Sequence, residues 1–181
     1  ITKSGRPGGE RRHNELFINM GIPESDDTNI PVFEEKSAEY GLDVTGLSTQ
    51  AVFFDYDGDA DLDMYLLNTS FDAIGGYEKI TGEDRQIPDP EGGSKLFRND
   101  GEVFTDVTED AGIYSSRFAF GLSASVGDVN RDGWPDIYVA NDFFERDYLY
   151  INNRDGTFRE VLEDQVTSTS AASMGSDIAD L

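Results

Sequence analysis

The sequence predicts an all-β chain built from repeated units of four short antiparallel strands. Three observations carry this. A nine-residue acidic loop occurs twice, as Asp55-Tyr-Asp-Gly-Asp-Ala-Asp-Leu-Asp63 and Asp128-Val-Asn-Arg-Asp-Gly-Trp-Pro-Asp136. A Leu-aromatic-x-Asn element occurs three times, at Leu16–Asn19, Leu96–Asn99 and Leu149–Asn152. Between these lie strand-length apolar runs bounded by Gly, Asn, Asp and Pro, with no stretch of amphipathic helix.

Lettering the strands A to D from the one before the acidic loop, the elements follow in a fixed order. Residues 1–13 open with Lys3, Arg6, Arg11 and Arg12 among three glycines and read as a flexible basic arm or linker; His13, next to two arginines, reads as a solvated side chain. Residues 14–37 supply strands C and D, with Gly21 turning between Leu16–Asn19 and Val32–Glu35. Residues 48–108 supply a full unit: Gln50–Phe54 as A, Met64–Asn68 as B, Leu96–Asn99 as C and Val103–Val107 as D. Residues 71–93, rich in Gly, Pro and charge, read as a loop insertion between its B and C. Residues 120–163 supply a second full unit, from Ser123–Asp128 through Ile137–Asn141 and Leu149–Asn152 to Thr157–Val161. Residues 173–181 supply another strand A, with Asp180 where a third acidic loop should begin.

The spacing supports one repeating unit. Asp128 to Asp180 spans 52 residues and Leu96 to Leu149 spans 53, whereas Asp55 to Asp128 spans 73 because of the insertion. Four strands in about 50 residues is the sequence sign of a β-propeller blade. About two full blades with flanking strands cannot close a ring of roughly four to eight. The expectation is therefore a partial propeller, either a piece of a longer chain or a subunit whose copies complete one another's blades.

Composition narrows the function classes. With 37 acidic against 14 basic residues, the net charge is −23, which argues against nucleic-acid binding and for a cationic partner or bound metal ions. Twenty-one aromatic residues (12 Phe, 8 Tyr, 1 Trp) are too many for a disordered acidic tail. No cysteine is present, so disulfides and thiolate metal sites are excluded. Apolar runs are strand-sized, as at Met64–Leu67, so no membrane insertion is expected.

The acidic loops match the needs of a hard cation, which takes six to eight oxygens at about 2.3–2.6 Å. In the first, the ligands read as the side chains of Asp55, Asp57, Asp59 and Asp63 and the carbonyl of Asp61, whose carboxylate stays free. In the second they read as Asp128, Asn130, Asp132 and Asp136 with the carbonyl of Trp134. Gly133 makes the sharp turn at position 6, where the first loop has Ala60, eased by Gly58. The twelfth positions are Leu66 and Val139 in strand runs, which excludes a helical calcium hand. Mg2+ demands tighter octahedral geometry, and Zn2+ lacks its usual ligands with one histidine and no cysteine. Two Ca2+ ions would bring the charge from −23 to −19. The competing reading is a pair of solvated Asp/Gly hairpin turns.

These residues resemble the FG-GAP/VCBS-type repeat of integrin α-chain propellers and bacterial secreted proteins. The order Gly127-Asp-Val-Asn-Arg-Asp-Gly-Trp-Pro-Asp-Ile-Tyr-Val-Ala-Asn-Asp142, then Leu149-Tyr-Ile-Asn-Asn-Arg-Asp-Gly-Thr-Phe-Arg-Glu-Val161, is especially similar to the branch that includes cartilage acidic protein. The resemblance covers residues 14–181. It implies a Ca2+-stabilised propeller, usually seven-bladed, that is extracellular, at the cell surface or periplasmic and serves in adhesion, ligand binding or scaffolding. Another protein or a glycan is then the expected partner. Two other classes stay open: the non-catalytic part of a secreted, polysaccharide-active propeller enzyme, and a self-assembling filament subunit joined through unpaired blade edges. No catalytic residue is assigned. The suitably spaced carboxylates are claimed by the metal, and there is no nucleophile elbow or His/Cys pair.

Overall fold

The computed structural model describes residues 1–2, 13–24, 29–71, 81–101, 103–143 and 145–179. It is all-β. The strands are β1 (Phe17–Asn19), β2 (Phe33–Glu35), β3 (Ser48–Phe54), β4 (Asp63–Asn68), β5 (Lys95–Asn99), β6 (Phe104–Asp106), β7 (Gly121–Gly127), β8 (Asp136–Asn141), β9 (Tyr148–Asn152) and β10 (Phe158–Glu160). They form two four-stranded antiparallel meanders, β3-β4-β5-β6 and β7-β8-β9-β10, and a two-stranded β1-β2 sheet. Each meander is a propeller blade, and the described residues make a partial propeller rather than a closed ring.

The second strand of each blade explains why the sequence there is a continuous apolar run rather than an alternation. All of β4 is buried, because both faces are covered. Tyr65 and Leu67 face the neighbouring blade, packing with Leu96, Ile137, Val139 and Tyr150. Met64 and Leu66 point the other way, joining Leu42 and Phe97 and the partly buried Leu16, Val44 and Ala51 on the β1-β2 side. Period-two alternation thus splits one strand between two cores. Each such fully buried side chain contributes about 1.5–3 kcal/mol.

The blades meet closely at their inner strands, β3 and β7. A Cβ on Gly121 would lie 2.3 Å from Leu67 Cδ1, so only glycine lets β7 approach β4. The Gln50 side chain then brackets Ala124, accepting from its N–H at 2.8 Å and donating to its carbonyl at 3.3 Å. The same tie recurs one unit later, where Ser123 Oγ accepts the Ser176 N–H at 3.3 Å. Residues 173–179 consequently lie against β7 as β7 lies against β3, with Ile178 over Gly127. The sequence suggested a strand at 173–181; residues 173–179 occupy that place as extended chain without ladder pairing, and Asp180 and Leu181 lie outside the described residues.

Two segments differ from their sequence reading. Within the insertion read at 71–93, residues 81–93 include a one-turn helix, α1 (Gly82–Arg85), capped reciprocally by Thr81 and Asp84; residues 72–80 lie outside the described residues. Arg85 on this turn reaches Glu145 of the next blade at 2.7 Å, so the insertion is clamped by an ion pair. A second turn, α2 (Leu162–Gln165), follows β10. At the start of the chain, residues 3–12 of the basic arm also lie outside the description. Ile1, however, exchanges two backbone hydrogen bonds with Glu15, the pairing that Leu66 makes with Lys95 in the next blade.

Candidate metal centre

Both acidic loops join the first and second strands of a blade, and each is closed by the aspartate that begins the second strand. Asp63 is fully buried; its Oδ1 accepts the Asn99 N–H at 2.8 Å and its Oδ2 the Tyr56 N–H at 3.0 Å. Asp136 repeats this with Asn152 at 2.9 Å and Val129 at 3.0 Å. Position 9 therefore ties the loop to the third strand. Position 1 shapes its interior: Asp55 accepts from Gly58 and Ala60, and Asp128 from Asp132 and Gly133.

The backbone path is the same in both loops, although the glycine sits at different places. Positions 4 and 6 are both left-handed: Gly58 (φ 80°) and Ala60 (φ 75°) in one, Arg131 (φ 61°) and Gly133 (φ 90°) in the other. Gly58 does not substitute for a glycine at position 6. Each loop instead holds one non-glycine residue in a conformation costing about 1–2 kcal/mol.

The ligand sets diverge. In the first loop, one oxygen each from Asp55, Asp57 and Asp63 lies within 4.8 Å of the others. Two ligands of one ion held at 2.3–2.6 Å can be no more than about 5 Å apart, so these three fit a single calcium-sized cation. Moreover Asp57 Oδ1 and Asp61 Oδ1 are buried with no hydrogen-bond partner. Asp59 is exposed and accepts the Asp61 N–H at 3.0 Å. Besides the carbonyl that the sequence pattern assigns to Asp61 as a ligand, this residue has a carboxylate oxygen, Oδ1, shielded from water. Burial, then the Asp59 charge, holds both Asp57 and Asp61 above the usual carboxylate range. Burial pushes Asp63 up to about 6, against the two N–H donors that would lower it. A cation would relieve all of these at once.

In the second loop the expected ligands surround the same path, but no three-carboxylate group forms there among the described residues. Asn130 is an amide that both donates to and accepts from Asp132. Asp132 also accepts from the Trp134 N–H at 2.9 Å and pairs with Arg154 Nη2 at 2.8 Å. Although burial acts the other way, the Arg154 guanidinium holds Asp132 below its ordinary range. Burial raises Asp136.

Further residues bind the loops to each other. The Trp134 ring packs on Gly58, where a Cβ would lie 2.9 Å from its Cη2. Tyr56 stacks on Phe158 at 5.9 Å between centroids. Asn152 Nδ2 donates to the Tyr56 carbonyl at 2.8 Å while its backbone holds Asp136, so one residue touches both loops. Asn99 likewise donates to the Leu62 carbonyl and accepts the Gly101 N–H. Two asparagines of the Leu-aromatic-x-Asn elements, Asn99 and Asn152, are thus the loop brackets. Their recurrence was the signal for that role, although the sequence reading used it only to count blades.

A family model described as FG-GAP-like repeat matches the chain twice, over residues 87–139 and 128–181, together just over half of its length. The second match opens at Asp128, the first residue of the second acidic loop. No curated protein matches the chain significantly.

Proposed function

Because the chain belongs to the FG-GAP-like repeat family, we propose that it is part of a calcium-stabilised β-propeller that acts as an adhesion, ligand-binding or scaffolding module. Repeats of this family are typically non-catalytic structural modules and commonly occur in extracellular proteins. Among the described residues, no helix is long and apolar enough to cross a membrane. The proposed setting is extracellular, at the cell surface or periplasmic, where millimolar calcium suits rigid modules of modest affinity. The proposed partner is another protein or a glycan, not a nucleic acid.

One observation carries the metal reading: two carboxylate oxygens, of Asp57 and Asp61, are buried without a donor beside three convergent aspartates. A carboxylate oxygen held from water without a donor is unfavourable, and a bound cation removes that cost. Asp55, Asp57, Asp59, Asp63 and the Asp61 carbonyl would hold one ion. Asp128, Asn130, Asp132, Asp136 and the Trp134 carbonyl would hold a second. When bound, Ca2+ supplies positive charge and a fixed coordination centre, which rigidifies the hairpin. Equilibrium dialysis tests this: up to two calcium ions should bind per chain, with equimolar magnesium failing to compete. No retained calcium at millimolar concentration would refute it.

A further inference from the structure

The two loops share a backbone path but differ in how their side-chain oxygens are satisfied. In the second loop each of them already has a donor. Asp128 takes two backbone N–H groups, Asn130 one, Asp136 two, and Asp132 is held by Trp134, Asn130 and Arg154. In the first loop one oxygen each of Asp57 and Asp61, the Oδ1 atoms, is left over. The charges differ in the same sense. Five carboxylates occupy residues 55–63, against three at 128–136, where position 3 is Asn130 and position 7 is Trp134. A resident cation also sits on the second loop, since Arg154 reaches Asp132 with both Nη2 (2.8 Å) and Nε (3.2 Å). Beside the first loop, Arg98 pairs with Asp100 outside it at 2.8 Å and, among the described residues, acts on Asp57 through its charge alone, without a salt bridge to the loop.

We infer that the two loops are unequal cation sites: the first is the tight one, with the Asp61 carboxylate as an added ligand or charge partner, and Arg154 already neutralises the second, which takes a cation only weakly. This rests on the calcium reading above and ranks its two sites. It also reverses the order that glycine placement suggests, because Ala60 and Arg131 put one strained residue in each loop. An ion entering the second loop must displace a guanidinium and meets less negative charge. An ion entering the first meets two oxygens, Asp57 Oδ1 and Asp61 Oδ1, that have no other partner. Ligand charge count is a main determinant of affinity in such loops.

The test is a calcium titration by calorimetry on the whole chain. Terbium luminescence excited through Trp134, the single tryptophan, provides a second readout. The unmodified chain should show two classes of site differing at least about tenfold. Asp61→Asn should weaken the tight class by about tenfold and leave the weak class unchanged. Arg154→Gln should tighten the weak class by about fivefold and leave the tight class unchanged. In EDTA, Asp61→Asn should raise the urea midpoint by removing repulsion, and Arg154→Gln should lower it slightly, which shows that both variants fold. Two equal sites, or an Arg154→Gln chain whose weak class does not move, overturns the inference while leaving the calcium reading intact. An absence of binding in every variant overturns both.

Discussion

Asp136 and Asp128 belong to one acidic loop, yet the structure gives them different work, and replacing each by alanine in the absence of calcium separates the two roles. Asp136 is fully buried and its two oxygens satisfy the Val129 and Asn152 N–H groups at 3.0 and 2.9 Å. Asp136→Ala leaves the buried Asn152 N–H without an acceptor, at about 1–3 kcal/mol, whereas the N–H of the exposed Val129 can turn to water at a smaller cost. Removing a carboxylate that burial already disfavours returns part of this, so the net loss should be about 1–3 kcal/mol. Asp128 is exposed and its acceptors serve Asp132 and Gly133 N–H groups that water can reach. Asp128→Ala in EDTA should therefore cost less than about 1 kcal/mol. The assay is urea denaturation in EDTA, comparing midpoints at constant slope. If the two variants lose equal stability in EDTA, position 9 has no structural role apart from a metal, and the reasoning fails.

Three further outcomes follow from the same geometry. Asp63, raised to about 6 when folded against about 3.9 unfolded, binds its proton more tightly in the folded chain. Its effect is thus stabilising below about pH 4 and is lost as pH rises through 6, with Asp57, Asp61 and Asp136 shifted in the same direction. Carboxylates held low, such as Asp84, Asp100 and Glu160, act oppositely and only at lower pH. In EDTA the urea midpoint should be higher at pH 5 than at pH 7.5, by on the order of 1–2 kcal/mol in stability; a lower midpoint at pH 5 refutes this. Ala60→Gly should add about 0.5–1 kcal/mol, the relief of φ 75° less the entropy of an added glycine, and a destabilised variant by the same denaturation would contradict that. Arg85→Ala should cost about 3–5 kcal/mol because Glu145, whose side chain is wholly buried, loses its partner; an Arg85→Met/Glu145→Leu double variant should recover much of it in thermal melts.

Much of the blade plan was legible because it is written in strict periodicities. The acidic loops, the Leu-aromatic-x-Asn elements and the apolar second strands mark successive positions of one unit, and the two four-stranded meanders follow that order. What stayed hidden depends on pairs far apart in sequence. Nothing near Asp132 announces Arg154, and nothing near Glu145 announces Arg85, since each pairing requires the turn or the insertion to fold back. The burial of Asp61 Oδ1 was not legible, because the loop pattern assigns position 7 to a backbone carbonyl and leaves that side chain free. Extended chain at 173–179 was likewise legible as a strand by pattern, although its ties to β7 run through serine side chains.

The central claim, that a calcium ion completes the acidic loops, is tested most directly by thermal denaturation with excess calcium and with EDTA. At a free concentration of about 100 times Kd, one ion contributes about 2.7 kcal/mol, which for a chain of this length raises Tm by about 5–10 °C. A rise of that size, reduced in Asp57→Asn, is the predicted result. Superimposable melting curves in calcium and EDTA would contradict it.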